Sequence, residues 1–331
     1  LTLVTFGLFS AWAKVRKKRY FYSHTLIADT PFQYLGQPIP ILKGRLVAAA
    51  GFGLYYISSH FVTSLLPFVL AAGLVAAPWV LVRSAAFNAR YSAFRNMTFH
   101  LDAGYVDAAK AIYAGGIVPA FVIAMIFDGF DQPVILTIVT IGFGISFPWL
   151  ICRLRRFIVT HTSFGGIKGE FTARGGQFFA IYFKSALIGI AASIPISFII
   201  IFFVYKLSRN MWFVTYLVAL PMYAGYVLGF AYVRARSTNL VWGHTRLGPL
   251  RFQSTLAFKD LAGLYLTNAL GIIASCGLAI PWAVMRTLKY RVAHLRVQQD
   301  GSLARFAGSD RGEVEAIGAE TLDIFDWDFS L

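Results

Sequence analysis

Trp149 Leu150 Ile151 Cys152 Arg153 Leu154 Arg155 Arg156 Phe157, with His161 just beyond, closes a long apolar run and recurs along the chain. Counting forward from Trp149 gives Arg153, Arg156, Phe157 and His161. The same offsets from Trp12 give Arg16, Arg19, Tyr20 and His24, and from Trp282 they give Arg286, Lys289, Tyr290 and His294. At about 100° per residue these offsets fall within one broad stripe of an α-helix, so each copy presents a ring, two cations, a second ring and an imidazole on one face. Trp79 with Arg83 and Phe87 is a shorter copy, and Phe230 with Arg234 a weaker one. Pro78, Pro148 and Pro281 precede three of the tryptophans, where a residue without an N–H kinks an apolar helix as it leaves a bilayer. Tryptophan then sits at headgroup depth with the cations beyond it. Two readings of this face stay open: a repeated basic surface for a phosphate-bearing partner, or an interfacial anchor.

The composition sets the solvent. Of 331 residues, 57% are hydrophobic and 14% charged, and the mean hydropathy is +0.64, too apolar for a soluble globular chain. The net charge of +15 would suggest nucleic acid in a soluble protein. Here the cations flank apolar runs and read as topology signals, so no nucleic acid is expected. Cys152 and Cys276 lie inside apolar runs without metal-ligand or disulfide spacing, so both are expected as buried thiols. The chain opens on Leu1 within an apolar run without a signal-peptide layout, and some preceding sequence is expected to be missing.

Six stretches are expected to span, paired as hairpins: 45–64 with 65–82, 112–127 with 133–152, and 180–205 with 211–233, each near the roughly 20 residues that a crossing needs. Gly225 and Gly229 give the third pair a close-packing face. Polar inserts near 25–36, 97–105, 162–173, 239–254 and 294–306 alternate as strands do and are expected as short antiparallel pairs. Of the 30 Lys and Arg residues, 27 fall in 14–45, 83–110, 153–174, 234–259 and 286–311, which places these stretches on the cytoplasmic side. The expected fold is therefore an all-α polytopic membrane protein of duplicated helical hairpins with short cytoplasmic β-hairpin inserts.

The near-equal separations of Trp12, Trp149 and Trp282 imply an internal duplication. Residues 1–152 form the first repeat, 153–297 the second, and 298–331 an acidic cytoplasmic tail. The second repeat has only 261–285 where the first has two crossings, so this run is expected to dip in and return, broken around Asn268, Gly271 and Gly277. In the tail, Phe325, Trp327, Phe329 and Leu331 alternate with Asp326, Asp328 and Ser330, as in a strand with one apolar and one acidic face.

Several of these stretches also carry a likeness. Leu1 Thr2 Leu3 Val4 Thr5 Phe6 Gly7 ahead of Trp12 Ala13 Lys14 Val15 Arg16, the segment Arg19 to Thr25, Phe32 Gln33 Tyr34 Leu35 Gly36, and the ending Gly318 Ala319 Glu320 with Phe325 Asp326 resemble the bacterial YjgN-like family over most of the chain. The resemblance implies a polytopic inner-membrane protein and supplies no catalytic residues.

Chemistry is sparse. His24, His161 and His294 occupy one repeated position, where imidazole can sense protons, bind headgroups or simply hydrogen-bond. Lys184 near the start of an apolar run and Asp128 with Asp131 at an outer tip can snorkel. No HExxH, GxSxG, P-loop or dinucleotide fingerprint is present, so no catalytic residue, cofactor or metal site is assigned and a non-enzymatic protein is expected. Two functions remain: a transporter or channel for a small solute or ion with its site at the repeat interface, or a scaffold that binds membrane lipids, anionic headgroups in particular, through the Trp/Arg/His faces.

Overall fold

The structure, a computed structural model, describes residues 9–27, 29–128, 133–207 and 211–299. The first apolar residues, the connection 129–132 and the acidic tail with its alternating end lie outside the described residues. Ten helices and nine strands are described: α1 Ser10–Ser23, β1 Leu26–Ile27, β2 Thr30–Tyr34, α2 Pro38–His60, α3 Leu66–Arg90, β3 Ser92–Phe94, β4 Met97–Leu101, α4 Tyr105–Tyr113, α5 Ile117–Asp128, α6 Pro133–His161, β5 Thr162–Phe164, β6 Ile167–Phe171, α7 Gly175–Leu207, α8 Met211–Gly243, β7 Thr245–Leu247, β8 Leu250–Ser254, α9 Phe258–Ala274, α10 Ile280–Ala293 and β9 Leu295–Gln299.

One local pattern repeats: a helix ends, a hairpin follows at once, and three residues later the next helix begins. The hairpin turns are two residues long. Arg95 and Asn96 have φ of 50° and 61°, and Gly165 and Gly166 have 56° and 78°, the left-handed pair whose twist matches that of the flanking strands. Gly248, at φ 55°, precedes Pro249, so only the first central residue of that turn is left-handed. The exit strands pair onward as well: Tyr34 opposes Ser92, Leu101 opposes Thr162, and Phe171 opposes Thr245. Strand order is therefore chain order from β1 to β9, with antiparallel pairing from β1 through β8.

This corrects the expected all-α fold with separate hairpin inserts. The antiparallel pairs are present, but they run on into a nine-stranded sheet, because an isolated hairpin leaves edge N–H and C=O groups that the next hairpin satisfies. Three of the expected crossings have a matching helix. Among the described residues, three helices are long and apolar enough to cross a membrane: Thr63–Arg90, Val134–His161 and Gly175–Phe203. A fourth arises only if Tyr105–Tyr113 and Ile117–Ile126, bent by 74°, count as one span. The bend falls at Gly115 and Gly116, both at positive φ. α2, expected as a span, carries Lys43, Arg45 and His60 and is not among the three.

The described residues fall into two compact units, the first drawn from 9–172, 245–251 and 299, the second from 173–244 and 252–298. In the first, Ala11, Val15, Tyr22, Tyr34, Ile41 and Phe87 form a buried cluster at the roots of α1, α2 and α3. In the second, Ala235, Leu256 and Leu261 are buried, with Phe258, Tyr265 and Tyr290 packed against them. There α7 and α8 approach closely, as Gly225 and Gly229 lead one to expect. A Cβ at Gly225 would meet the Gly189 carbonyl oxygen at 2.6 Å, and Ser185 donates to the Gly229 carbonyl at 2.9 Å.

Candidate functional site

The repeated face is built backwards from the helix ends. His24 Nδ1 lies 2.7 Å from the Tyr20 carbonyl, His161 Nδ1 2.8 Å from that of Phe157, and His294 Nδ1 2.8 Å from that of Tyr290. A carbonyl only accepts, so Nδ1 carries the hydrogen in each ring. The same rings stack on the side chain one turn back, at centroid separations of 4.2, 4.6 and 4.2 Å. The residue after the cap adds a second bond: Thr25 Oγ1 donates to the Phe21 carbonyl at 2.9 Å, Ser92 Oγ to Asn88 at 2.8 Å, and Thr162 Oγ1 to Ile158 at 2.7 Å. Together they satisfy carbonyls that a helix C-terminus leaves unpaired. The cap residue's own carbonyl then accepts from the exit of another hairpin: Leu35 N–H to Tyr91, Asp102 N–H to His161 and Thr255 N–H to His294, each at 2.9 Å. The hydrogen bond that each of these histidines makes through Nδ1 is thus to its own helix.

At the end of α8 the copy in register with the cap lies two residues beyond Phe230 and Arg234. His244 Nδ1 lies 2.9 Å from the Leu240 carbonyl, so counting back from His244 gives Leu240, Arg236 and Tyr232. Arg236 stands over the Tyr232 ring at 5.9 Å. Phe230 and Arg234 make a similar contact at 5.9 Å but are out of register with the helix end. The signal that finds the right register is the pair His244–Thr245, which matches His24–Thr25 and His161–Thr162.

The tryptophan half of each face is open. Trp12 is 40%, Trp149 37% and Trp282 52% exposed. Arg16, Arg19, Arg153, Arg156 and Lys289 are exposed too, whereas Arg286 is half-buried. Arg19 donates to the Gly36 carbonyl at 3.1 Å and Arg153 to that of Ala114. α1 carries Lys14, Arg16, Lys17, Lys18 and Arg19 with no acid in its first turn. Lys18, though buried, lies 5.3 Å from the Tyr34 ring.

In the second unit the structure joins two groups that the sequence kept apart. Arg286 stacks on Trp282 at 5.2 Å and donates to Thr267 Oγ1 at 2.6 Å and Asn268 Oδ1 at 3.3 Å. Asn268 Nδ2 reaches the Ala283 carbonyl at 3.3 Å and Thr287 Oγ1 at 3.1 Å. A Cβ on Gly271 would lie 3.5 Å from the Trp282 ring. Asn268 and Gly271 thus sit within α9 against the third Trp copy, and Gly277 lies in the break between α9 and α10. There Gly277 N–H bonds the Ile272 carbonyl at 2.8 Å and Cys276 N–H that of Ile273 at 3.1 Å, a Schellman ending. Its left-handed residue is Cys276, φ 49°, and Cys276 is exposed rather than buried as expected, while Cys152 is buried. Near the end of α10, burial first and the neighbouring Arg234 second push Arg291 down to about 10, which leaves it cationic at neutral pH. Among the described residues, no three His, Cys, Asp or Glu side chains come together as metal ligands would.

No curated protein and no solved structure matches the chain. A family model described as a bacterial protein of unknown function, DUF898, matches residues 1–324, and the chain therefore belongs to this family, the YjgN-like proteins.

Proposed function

We propose that this chain is a multi-pass protein of the bacterial inner membrane, internally duplicated, whose Trp–Arg helix ends bind anionic lipid headgroups without catalysing a reaction. The observation that carries the proposal is the exposed tryptophan one turn before an arginine at Trp12, Trp149 and Trp282, where apolar sequence gives way to basic sequence. The shared local geometry at four helix ends supports duplication, and the cation distribution supports cytoplasmic placement of those ends. α9 has 17 residues and α10 14, each short of a crossing, which suits a segment that enters and returns. The test is native mass spectrometry of the protein with equal phosphatidylglycerol and phosphatidylcholine. The wild type should retain phosphatidylglycerol preferentially, and the triple variant Arg16→Gln, Arg153→Gln, Arg286→Gln should lose most of that preference. Equal retention of the two lipids by the wild type overturns the reading.

A carrier or channel is the second reading, favoured by the break at Cys276–Gly277 and the polar cluster of Arg286, Asn268 and Thr267 on the adjoining helices. Vesicles containing the protein would then dissipate an imposed ion gradient, and Asn268→Leu would abolish the leak.

A further inference from the structure

Ser84, Asn88 and Ser92 stand at i, i+4 and i+8 along the end of α3 and into β3. In helical spacing the first two share a face, and all three are buried, at 0%, 3% and 5% exposure. Ser92 is satisfied. Its hydroxyl hydrogen goes to the Asn88 carbonyl at 2.8 Å, so the 3.0 Å contact with Tyr22 is donated by the phenol. Among the described residues, Ser84 Oγ and Asn88 Nδ2 have no hydrogen-bond partner. A buried amide or hydroxyl without one is disfavoured, and an ordered water is one way such a group is satisfied.

The second unit shows what this position needs. Counting back from the helix-end residue, Thr287 and Arg291 stand to His294 as Ser84 and Asn88 stand to Tyr91. Thr287 Oγ1 receives a hydrogen bond from Asn268 on α9 at 3.1 Å. Counted from the first residue of the helix, the place of Asn268 on α9 falls at Ala48 on α2, and a methyl group has nothing to donate. Ser193, on α7, returns its hydroxyl to the Gly189 carbonyl one turn back at 2.7 Å; Ser84 does not.

We propose that Ser84 Oγ and Asn88 Nδ2 form a binding site for one ordered water molecule that bridges them, a polar island at the end of the α3 span. One turn of helix separates their Cβ atoms by about 5–6 Å, a gap that two hydrogen bonds of about 2.9 Å through a single oxygen can bridge. The water accepts from the amide and exchanges a hydrogen bond with the hydroxyl. Both groups are neutral and polar, so the site calls for no counter-charge and suits a water rather than an apolar guest.

The test uses the full chain in detergent with asparagine labelled by nitrogen-15, and measures dipolar cross-relaxation between water and the side-chain amides. Asn88 should give a direct, long-lived water cross-peak. Asn268, bonded to Ala283 and Thr287, serves as the internal comparison. In Ser84→Ala the Asn88 cross-peak should fall several-fold while Asn268 is unchanged. An Asn88 amide without a water cross-peak overturns the site, and a cross-peak of undiminished strength in Ser84→Ala overturns the bridge. If Ser84→Ala does not fold, Ser84→Cys keeps the volume with a much weaker donor. The same loss is then expected, and an unchanged cross-peak counts equally against the proposal.

Discussion

Single side chains at the helix ends and turns make sharp predictions because their alternatives are few. His100, on β4, opposes Ser163 and lies with Nε2 3.3 Å from Thr98 Oγ1. Burial first and the Arg90 guanidinium second hold its pKa below the usual 6.5. The unfolded chain therefore binds more protons as the pH falls past 6.5, so the His100 contribution to stability is complete above that value and is lost as the pH falls through the lower folded one. Unfolding midpoints in detergent should drop on acidification across this range, and His100→Gln should flatten the drop. Cys276 invites the opposite kind of change. A non-glycine residue at φ 49° costs about 1 kcal/mol relative to glycine at a Schellman position, so Cys276→Gly should stabilise by about that amount, read as a raised midpoint for the α9–α10 segment in hydrogen exchange.

At the scale of elements, the contacts that join a helix to its hairpin dominate. Asn239 on α8 donates Nδ2–H to the Leu256 carbonyl at 2.9 Å, and its Oδ1 accepts from Leu256 N–H at 3.0 Å and Ser254 Oγ at 2.7 Å. Arg19 bonds the Gly36 carbonyl from the matching place on α1. Asn239→Ala strands a backbone N–H and a serine hydroxyl at once and should cost about 2–3 kcal/mol in equilibrium unfolding. On the α7–α8 face, Gly225→Ala puts a methyl 2.6 Å from the Gly189 carbonyl oxygen, which should cost about 1–3 kcal/mol. Gly176→Ala, on the same pair but in open space, should be neutral or slightly stabilising. That close approach was legible, since Gly225 and Gly229 are one turn apart in an apolar helix. The hairpins were legible where Gly165–Gly166 marks the turn; at 92–101 the alternation of β4 was legible, but β3 and its turn were hidden because Arg95–Asn96 takes the same left-handed pair without a glycine. Pairing between hairpins was not legible, because period-two alternation says which face a strand buries and nothing about which distant strand lies beside it. The bend between α4 and α5 escaped for a related reason. Hydropathy runs unbroken from Ile117 onward, and only the backbone of Gly115 and Gly116 shows that the chain turns before it.

For the whole chain the consequence is topological. If the proposed lipid-binding faces are real, Arg16, Arg153 and Arg286 lie on the cytoplasmic side, because headgroup anchors of the same build reach the same depth. The third is the demanding case. α9, at 17 residues, rises about 26 Å, less than the roughly 30 Å hydrocarbon thickness. A single straight crossing between α9 and α10 would move Arg286 to the periplasm. The Asn268 side chain argues against that straight path. Its amide bonds the Ala283 carbonyl and Thr287 on α10, which folds the two helices back on each other across the Ser275–Ala279 break, and a folded pair returns the chain to the side it left. Substituting cysteine at Lys289, beside Arg286 and exposed, in a background with Cys152 and Cys276 replaced by serine, gives the measurement. An impermeant maleimide should label it in inverted vesicles and leave it unlabelled in intact spheroplasts, as it should a cysteine at Lys17. Labelling of the Lys289 position from the periplasm with the Lys17 position still protected would mean that the α9–α10 segment crosses, and the third Trp–Arg face would then lie on the opposite side of the membrane from the first.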